Sequence, residues 1–386
     1  MRPARPSLRI ALDSDASETG RVHWRQDRQR LGCWQPGRLY KNYPDNESDQ
    51  MPPPPAKLDA LPESFVLFGA GAGGLEAIEE LKSLGRTPHQ VFDNNSSKWG
   101  THIAGVEVCQ PRETDDLVLI ASIFAADIAS QLRDMRNEYI YFGPTFERKN
   151  YFGPVDAANE RYLKELFGDE ESAEALDGLL RFRQSLDPLD LPKMSYEQYL
   201  HPSIRPHSGE HVVDAGAWEG DTALLALREV GPDGFVTCFE PYGPAAACIP
   251  RADNVTVHEL GLWSIKRRAQ LYLSTTNSTA NSVDLMATRS ADDVRAQSID
   301  LVPLDAIDLR RVDIIKMDIE GSERPALLGA KETIQRDRPR LMISGYRRSD
   351  DLWEIPRLIG SIAPYEFFLG HHTQYAFETV IYANPR

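Results

Sequence analysis

The sequence predicts an α/β protein made of two parallel, doubly wound sheets, one small and one large, joined by a helical connector. Three observations carry this expectation. Short apolar runs alternate with helical periodicity in two separate stretches of the chain. In each stretch the first apolar run ends in a glycine turn: Gly69-Ala70-Gly71-Ala72-Gly73-Gly74 in one, Asp214-Ala215-Gly216-Ala217-Trp218-Glu219-Gly220 in the other. In each, an acidic residue closes the next apolar run, Asp93 and Glu240 respectively. A glycine turn opening a helix, followed by a strand-end acid, suits a nucleotide-like ligand at the carboxyl edge of a parallel sheet.

The elements follow in order. Residues 1–62 hold Pro52-Pro53-Pro54-Pro55, many arginines and few aliphatic runs. Such a stretch cannot bury enough apolar area to offset its chain entropy, so it is expected to be disordered. Residues 63–150 form the smaller unit. Phe65–Phe68 reads as a buried strand, and Leu75, Ile78, Leu81 and Leu84 share one helix face that Gly85 ends. Strands are predicted at Gln90–Asp93, Leu117–Ile120 and Tyr139–Phe142, with a helix over Ala125–Met135. Residues 151–206 form the connector, whose apolar stripes are Leu163, Leu166, Phe167 and Leu176, Leu179, Leu180, Phe182. Residues 207–386 form the larger unit. Its strands are expected at His211–Val213, Gly234–Phe239, Val255–Leu260, Ile314–Met317, Arg340–Ser344, Glu366–Leu369 and Thr379–Ala383. Helices are expected over Thr222–Val230, Glu323–Ile334 and Leu352–Ile362, and an irregular, Ser/Thr/Asn-rich insertion follows Gln270–Leu273.

Composition excludes several functions. Forty-three Lys and Arg against 58 Asp and Glu give a formal net charge of −15. Neutralising phosphates requires a basic face, so neither nucleic acid nor an anionic membrane surface is an expected partner. The four cysteines, Cys33, Cys109, Cys238 and Cys248, are scattered and form no CxxC pair, which argues against a disulfide framework or a zinc site. No run is apolar and long enough to span a bilayer, and no secretory signal pattern opens the chain. A cytoplasmic location follows as an expectation, with no metal.

The chemistry concentrates in the larger unit. Gly216 and Gly220 let backbone approach a ligand closely, and the helix that follows offers free N–H groups. Glu240 is placed to accept hydrogen bonds from two ribose hydroxyls. No GxxxxGK[ST] accompanies them, which disfavours a phosphate-heavy nucleotide. The strand Ile314–Met317 delivers Asp318 and Glu320 to a loop before a helix, where Glu323 fits helix-terminus stabilisation. His371-His372 and the polar run Asn277, Ser278, Thr279, Asn281, Ser282 are lesser candidates, for a base and for sugar contacts. In the smaller unit Gly69, Gly71, Gly74 and Asp93 fit a dinucleotide fingerprint. They leave open non-catalytic nucleotide or nucleotide-sugar binding, a structural role, or redox chemistry with NAD.

Val213 to Thr222, Phe239-Glu240-Pro241, Leu304-Asp305, Ile315 to Glu323 and Asp351-Leu352-Trp353-Glu354-Ile355-Pro356 together resemble the FkbM family of methyltransferases, in the right order over residues 207–386. The resemblance implies a class I methyltransferase fold, S-adenosylmethionine as cofactor, and O-methylation of a hydroxyl on a sugar, glycan or natural-product acceptor. Asp214, Gly216, Gly220, Glu240, Pro241 and Leu262 are then expected at the cofactor; a hydroxyl acceptor also needs its proton removed, for which Asp318 or Glu320, with His372 behind them, are the candidates. Two positions depart from the family pattern: Tyr346-Arg347 stands where members often carry Tyr-His, and Ser264 stands where an acid is frequent. The smaller unit resembles the Rossmann-like domains joined to some sugar-modifying enzymes. The alternatives are a nucleotide-sugar-binding protein on a methyltransferase fold and an NAD-dependent sugar oxidoreductase.

Overall fold

Val66, Leu67 and Phe68 leave no polar face to the first strand, β1 (Phe65–Phe68), so it must be covered by helices on both sides. It sits at the centre of a six-stranded sheet in the computed structural model, which describes residues 61–143, 155–274, 277–282 and 294–386. Residues 1–60 of the Pro/Arg-rich stretch lie outside the described residues. The chain continues through α1 (Ala72–Ser83), β2 (Gln90–Phe92), β3 (His102–Ile103), β4 (Val106–Cys109), β5 (Leu117–Ile120), α2 (Ala125–Asp134) and β6 (Tyr139–Tyr141). The order is β3-β4-β2-β1-β5-β6, parallel except for the edge strand β3. The order in which strands are added therefore switches sides between β1 and β5, beside the first glycine turn. The β3–β4 hairpin carries no strong local pattern, and the sequence reading passed over it.

The connector is helical as expected, with α3 (Ala157–Leu166) and α4 (Glu170–Ser185), each capped by an aspartate, Asp156 and Asp169, whose carboxylate accepts N–H groups of the first turn. Leu176, Leu179 and Phe182 of α4 are fully buried, worth about 1.5–3 kcal/mol each. Phe182 packs on Tyr141 with ring centroids 5.8 Å apart, and the Tyr141 N–H donates to Leu186 O at 3.0 Å. One continuous core runs from Val66 and Phe68 through Leu179 and Phe182 to Ile315 and Ile381. The described residues accordingly lie in one compact unit.

The larger sheet comprises β7 (His211–Ala215), β8 (Phe235–Phe239), β9 (Val255–His258), β14 (Ile314–Met317), β15 (Arg340–Ser344), β16 (Tyr365–His371) and β17 (Thr379–Pro385). Its helices are α5 (Asp221–Val230), the short α6 (Gly243–Ala246), α7 (Glu323–Leu328), α8 (Lys331–Asp337) and α9 (Asp351–Ile362). The strand order is β16-β17-β15-β14-β7-β8-β9, and β17 alone runs antiparallel to its neighbours. In the β7–β14 register Lys316 lies opposite Asp214.

Two expectations are corrected. The helix predicted over Glu323–Ile334 is two helices, because Gly329 passes so close to the Trp263 carbonyl that no side chain fits there. The irregular insertion is a second sheet, with β10 (Gly261–Leu262), β11 (Arg267–Ser274), β12 (Asn277–Ser282) and β13 (Val294–Val302) in the order β10-β13-β11-β12. Arg267–Ser274 pairs antiparallel with Val294–Leu301 residue for residue, and a strand register of this kind is set by a partner far along the chain rather than by local pattern. The side chains of the polar run from Asn277 to Ser282 lie outside the described residues.

Candidate active site

The carboxyl ends of β7, β8 and β14 surround a cavity of about 350 Å³. Its base is built by a charge that the sequence hides. Lys316 sits in the apolar strand β14 and is almost fully buried. Its ammonium pairs with Asp214 Oδ1 at 2.9 Å and donates to Gly216 O at 2.9 Å. Asp214 Oδ2 accepts from Thr222 Oγ1 at 2.6 Å, at the start of α5. Burial opposes the Lys316 charge, but Asp214 and Asp318 outweigh it and hold its pKa above the usual lysine value. Lys316 and Asp214 thus clamp the glycine turn to both neighbouring strands. Asp214, expected at the cofactor, lies beneath the turn rather than on the cavity wall.

The turn itself requires glycine at two places. Gly216 has φ +75°, and a Cβ there would run into the carbonyl of Asp318; Gly220 has φ +93°, with Pro250 Cδ 2.6 Å from where a Cβ would stand. Gly216, Glu240, Pro241 and Leu262 line the cavity, and Gly220 packs behind it against Ile249 and Pro250. Glu240 is held by two backbone donors, the Trp218 N–H at 3.0 Å and the Tyr242 N–H at 2.8 Å. Burial nevertheless pushes its carboxyl up to about 7.

At the other end stand Asp318, Glu320, Tyr346, Arg347, Gln198 and Glu378. Asp318 accepts from Tyr346 OH at 2.9 Å and Tyr199 OH at 3.4 Å. Burial, with Asp318 beside them, raises both phenols well above their usual range, so they remain donors. Glu320 is paired with Arg347, and burial still lifts its carboxyl to about 8. Glu323 turns away: its Oε1 accepts the Ile319 N–H at 2.9 Å, the helix-terminus role expected of it. Among the described residues, eight non-glycine residues have positive φ, and four of them, Tyr199, Trp218, Glu320 and Glu378, line this one cavity. Such conformations cost about 1–3 kcal/mol each and concentrate where a site demands a fixed geometry.

His372 stands outside the cavity lining. Its Nε2 is 3.0 Å from Tyr382 OH, which in turn accepts the Tyr199 N–H at 3.1 Å, so it supports Tyr199 from behind. Burial lowers its pKa to about 4, leaving the ring neutral. Lys316, Gln198, Tyr199, Tyr346 and Glu378 were given no role in the site from sequence, although Gln198-Tyr199 and Tyr346 fall in segments that resemble the family. Lys316 carried a signal of its own, a charge inside an otherwise apolar strand. Arg347, noted as a departure from the family pattern, falls on the cavity wall.

In the smaller unit Gly69 follows β1, Gly71 precedes α1 and Gly74 lies in its first turn. Asp93 Oδ2 accepts the Ala70 N–H at 2.7 Å and Lys98 Nζ at 2.9 Å, while Oδ1 accepts the Asn95 N–H at 2.8 Å. Burial opposes the charge on Asp93, but these donors hold its carboxyl below the usual range.

A seven-stranded sheet with one antiparallel strand beside its edge is the class I methyltransferase fold. The family model for the methyltransferase FkbM domain matches residues 214–367, and the chain is a methyltransferase that carries this domain. Among solved structures, the methyltransferase FkbM from Methylobacillus flagellatus KT is similar at 21% identity and a TM-score of 0.62, over 84% of this chain and 90% of that one. This likeness of fold extends well before Asp214, into the smaller unit. An S-adenosylmethionine-dependent O-methyltransferase from Thermotoga maritima aligns at 11% identity and a TM-score of 0.29, over 50% of this chain and 69% of that one. No curated protein matches the sequence. Among the described residues, no helix is long and apolar enough to cross a membrane, and no three His, Cys, Asp or Glu side chains are placed to hold a metal ion.

Proposed function

We propose that the cavity binds S-adenosylmethionine and that the enzyme methylates a hydroxyl of a sugar, glycan or natural-product acceptor. The observation that carries this reading is the pairing of ends: Glu240 and the bare Gly216 backbone at one, hydrogen-bonding carboxylates and tyrosines at the other. The donor set suits an adenosine sulfonium rather than a polyphosphate. The two cations facing the cavity, Lys316 and Arg347, are each ion-paired to a carboxylate and leave no cradle for phosphates. Apolar walls from Phe239, Leu262 and Leu271 suit a purine.

When bound, the cofactor supplies an electrophilic methyl group. The chain supplies position: Glu240 takes the ribose hydroxyls, the Lys316-clamped turn fixes the backbone, and Asp318 and Glu320 stand at the acceptor end. Alignment of this kind can supply much of the rate enhancement. A hydroxyl acceptor also loses a proton, which calls for a carboxylate within hydrogen-bond reach. The smaller unit is read as structural, since Asp93 is engaged by its own turn. Calorimetric titration tests the reading: S-adenosylhomocysteine should bind one per chain, and NAD and UDP-glucose should give no heat. Binding of NAD without S-adenosylhomocysteine would overturn it, and methyl transfer confined to amine acceptors would overturn the hydroxyl assignment.

A further inference from the structure

Among the acidic side chains of the cavity, Glu378 is the least explained by the fold. It lies in the loop between β16 and β17 with φ +66°, buried beside Phe377, whose ring packs against Tyr346 at 5.4 Å. The loop holds it in that conformation: Glu378 O accepts the His372 N–H at 3.1 Å, and the Gln198 amide from the connector donates to its Oε2. Its Oε1 receives no hydrogen bond from any described residue, and the side chain lines the cavity wall. The two neighbouring acids differ. Both oxygens of Asp318 accept tyrosine hydroxyls, and Glu320 is tied to Arg347.

We infer that Glu378, through Oε1, is the base that takes the proton from the acceptor hydroxyl, with Gln198 aligning its carboxylate. The inference rests on the methyl-transfer reading of the cavity. In the step, the acceptor oxygen forms a bond to the methyl carbon as the carbon–sulfur bond breaks. The electron pair of that bond stays on sulfur, giving a neutral thioether. The hydroxyl proton passes to Glu378 and is later released to solvent. Asp318, held by Tyr199 and Tyr346, then orients the acceptor rather than deprotonating it. The charged and titratable groups facing Glu378 are Lys316, Asp318 and Glu320 from β14 and its loop, Tyr346 and Arg347 from the end of β15, Tyr199 from the connector, and Tyr382 from β17. Burial and the Asp318 charge push the Glu378 carboxyl up to about 7, a value suited to accepting a proton near neutrality.

A binding experiment tests this without knowledge of the acceptor. Sinefungin carries an ammonium where S-adenosylmethionine carries its sulfonium methyl, so it places a cation against the base; S-adenosylhomocysteine carries none. The ratio of their affinities should favour sinefungin at about pH 8 and fall about tenfold by about pH 6, as the facing carboxylate is protonated. Glu378→Gln should flatten that dependence while S-adenosylhomocysteine still binds. Asp318→Asn should keep it and move it to lower pH, because one neighbouring negative charge is gone. Glu320→Gln should keep it as well. A pH-dependence that survives Glu378→Gln, or that vanishes in Asp318→Asn or Glu320→Gln, overturns the assignment of Glu378. Absence of S-adenosylhomocysteine binding to the wild-type protein overturns the cofactor reading itself, and the inference with it.

Discussion

The two glycine turns of this chain follow one plan and end differently. Each follows the first strand of a parallel sheet, and in each the acid closing the second strand accepts an N–H from the turn: Ala70 to Asp93 and Trp218 to Glu240. Around Asp93 an ammonium, Lys98, completes the coordination, and the carboxyl is held below its usual range although burial opposes this. Around Glu240 no cation among the described residues forms an ion pair, burial pushes the carboxyl up to about 7, and the group looks into a cavity. A glycine turn and a strand-end acid are therefore scaffolding. What makes a site is the unsatisfied space left beside them and the strained residues that other segments bring to its wall.

Four experiments would break or sharpen that comparison. The largest effect should come from Lys316→Met, for which the smaller unit has no counterpart. It leaves Asp214 buried without its cation, and loss of one partner of such a pair costs about 3–5 kcal/mol. Chemical denaturation should show this loss together with loss of S-adenosylhomocysteine binding; a stability within about 1 kcal/mol of wild type would mean Asp214 is solvated in the folded protein.

The two acids should separate next. Glu240→Ala should weaken S-adenosylhomocysteine binding about tenfold or more, the equivalent of about 1.5–3 kcal/mol for bonds to a charged acceptor. Asp93→Ala should leave that affinity unchanged and cost about 1–3 kcal/mol of stability, since it strands buried donors. Equal effects on binding from both variants would erase the distinction.

The glycines give a smaller contrast. Gly216→Ala meets the Asp318 carbonyl at positive φ, whereas a Cβ at Gly71 meets nothing within 4 Å. Melting temperature and cofactor affinity should drop for the first, by an amount corresponding to at least about 1–2 kcal/mol. Both should be unchanged for Gly71→Ala.

The smallest effect concerns pH. Burial raises Glu240, Glu323 and Glu378 to about 7 and Glu320 to about 8. In the folded state these acids keep a proton that the unfolded chain has already lost. Their contribution to stability is therefore lost as pH rises through the folded values. The histidines whose pKa is lowered by burial, such as His371 at about 3, take up a proton on unfolding only below about pH 7, so their opposing slope lies on the acid side of the window that matters here. The unfolding free energy of the ligand-free protein should fall between about pH 7 and pH 8, and Glu378→Gln should make that slope shallower by up to about 0.7 kcal/mol per pH unit, because the carboxyl is about half protonated at its folded value. Asp93→Ala should leave the slope as it is. A slope unaltered by Glu378→Gln would place that carboxyl in water.

Sequence alone determined the alternation of strands and helices, both glycine turns and the acids that close the second strands. Buried parallel strands need unbroken apolar runs, such as Leu117–Ile120 and Ile314–Ile315, and such runs are visible locally. Gly216 and Glu240 were legible for the same reason, because each belongs to a single strand–turn unit of short span. The tertiary structure alone decided the rest. Gln198 and Glu378 meet across 180 positions of chain, and no periodicity couples a connector residue to a loop so distant. The antiparallel sheet over the cavity depends on pairing between β11 and β13, which local alternation does not specify. His372 was a lesser candidate for the base from its type alone; its side chain lies against Tyr382 and the aromatic cluster behind Tyr199. A local pattern records which face of an element is buried, while the chemistry of this cavity comes from loops that only the packed core brings together.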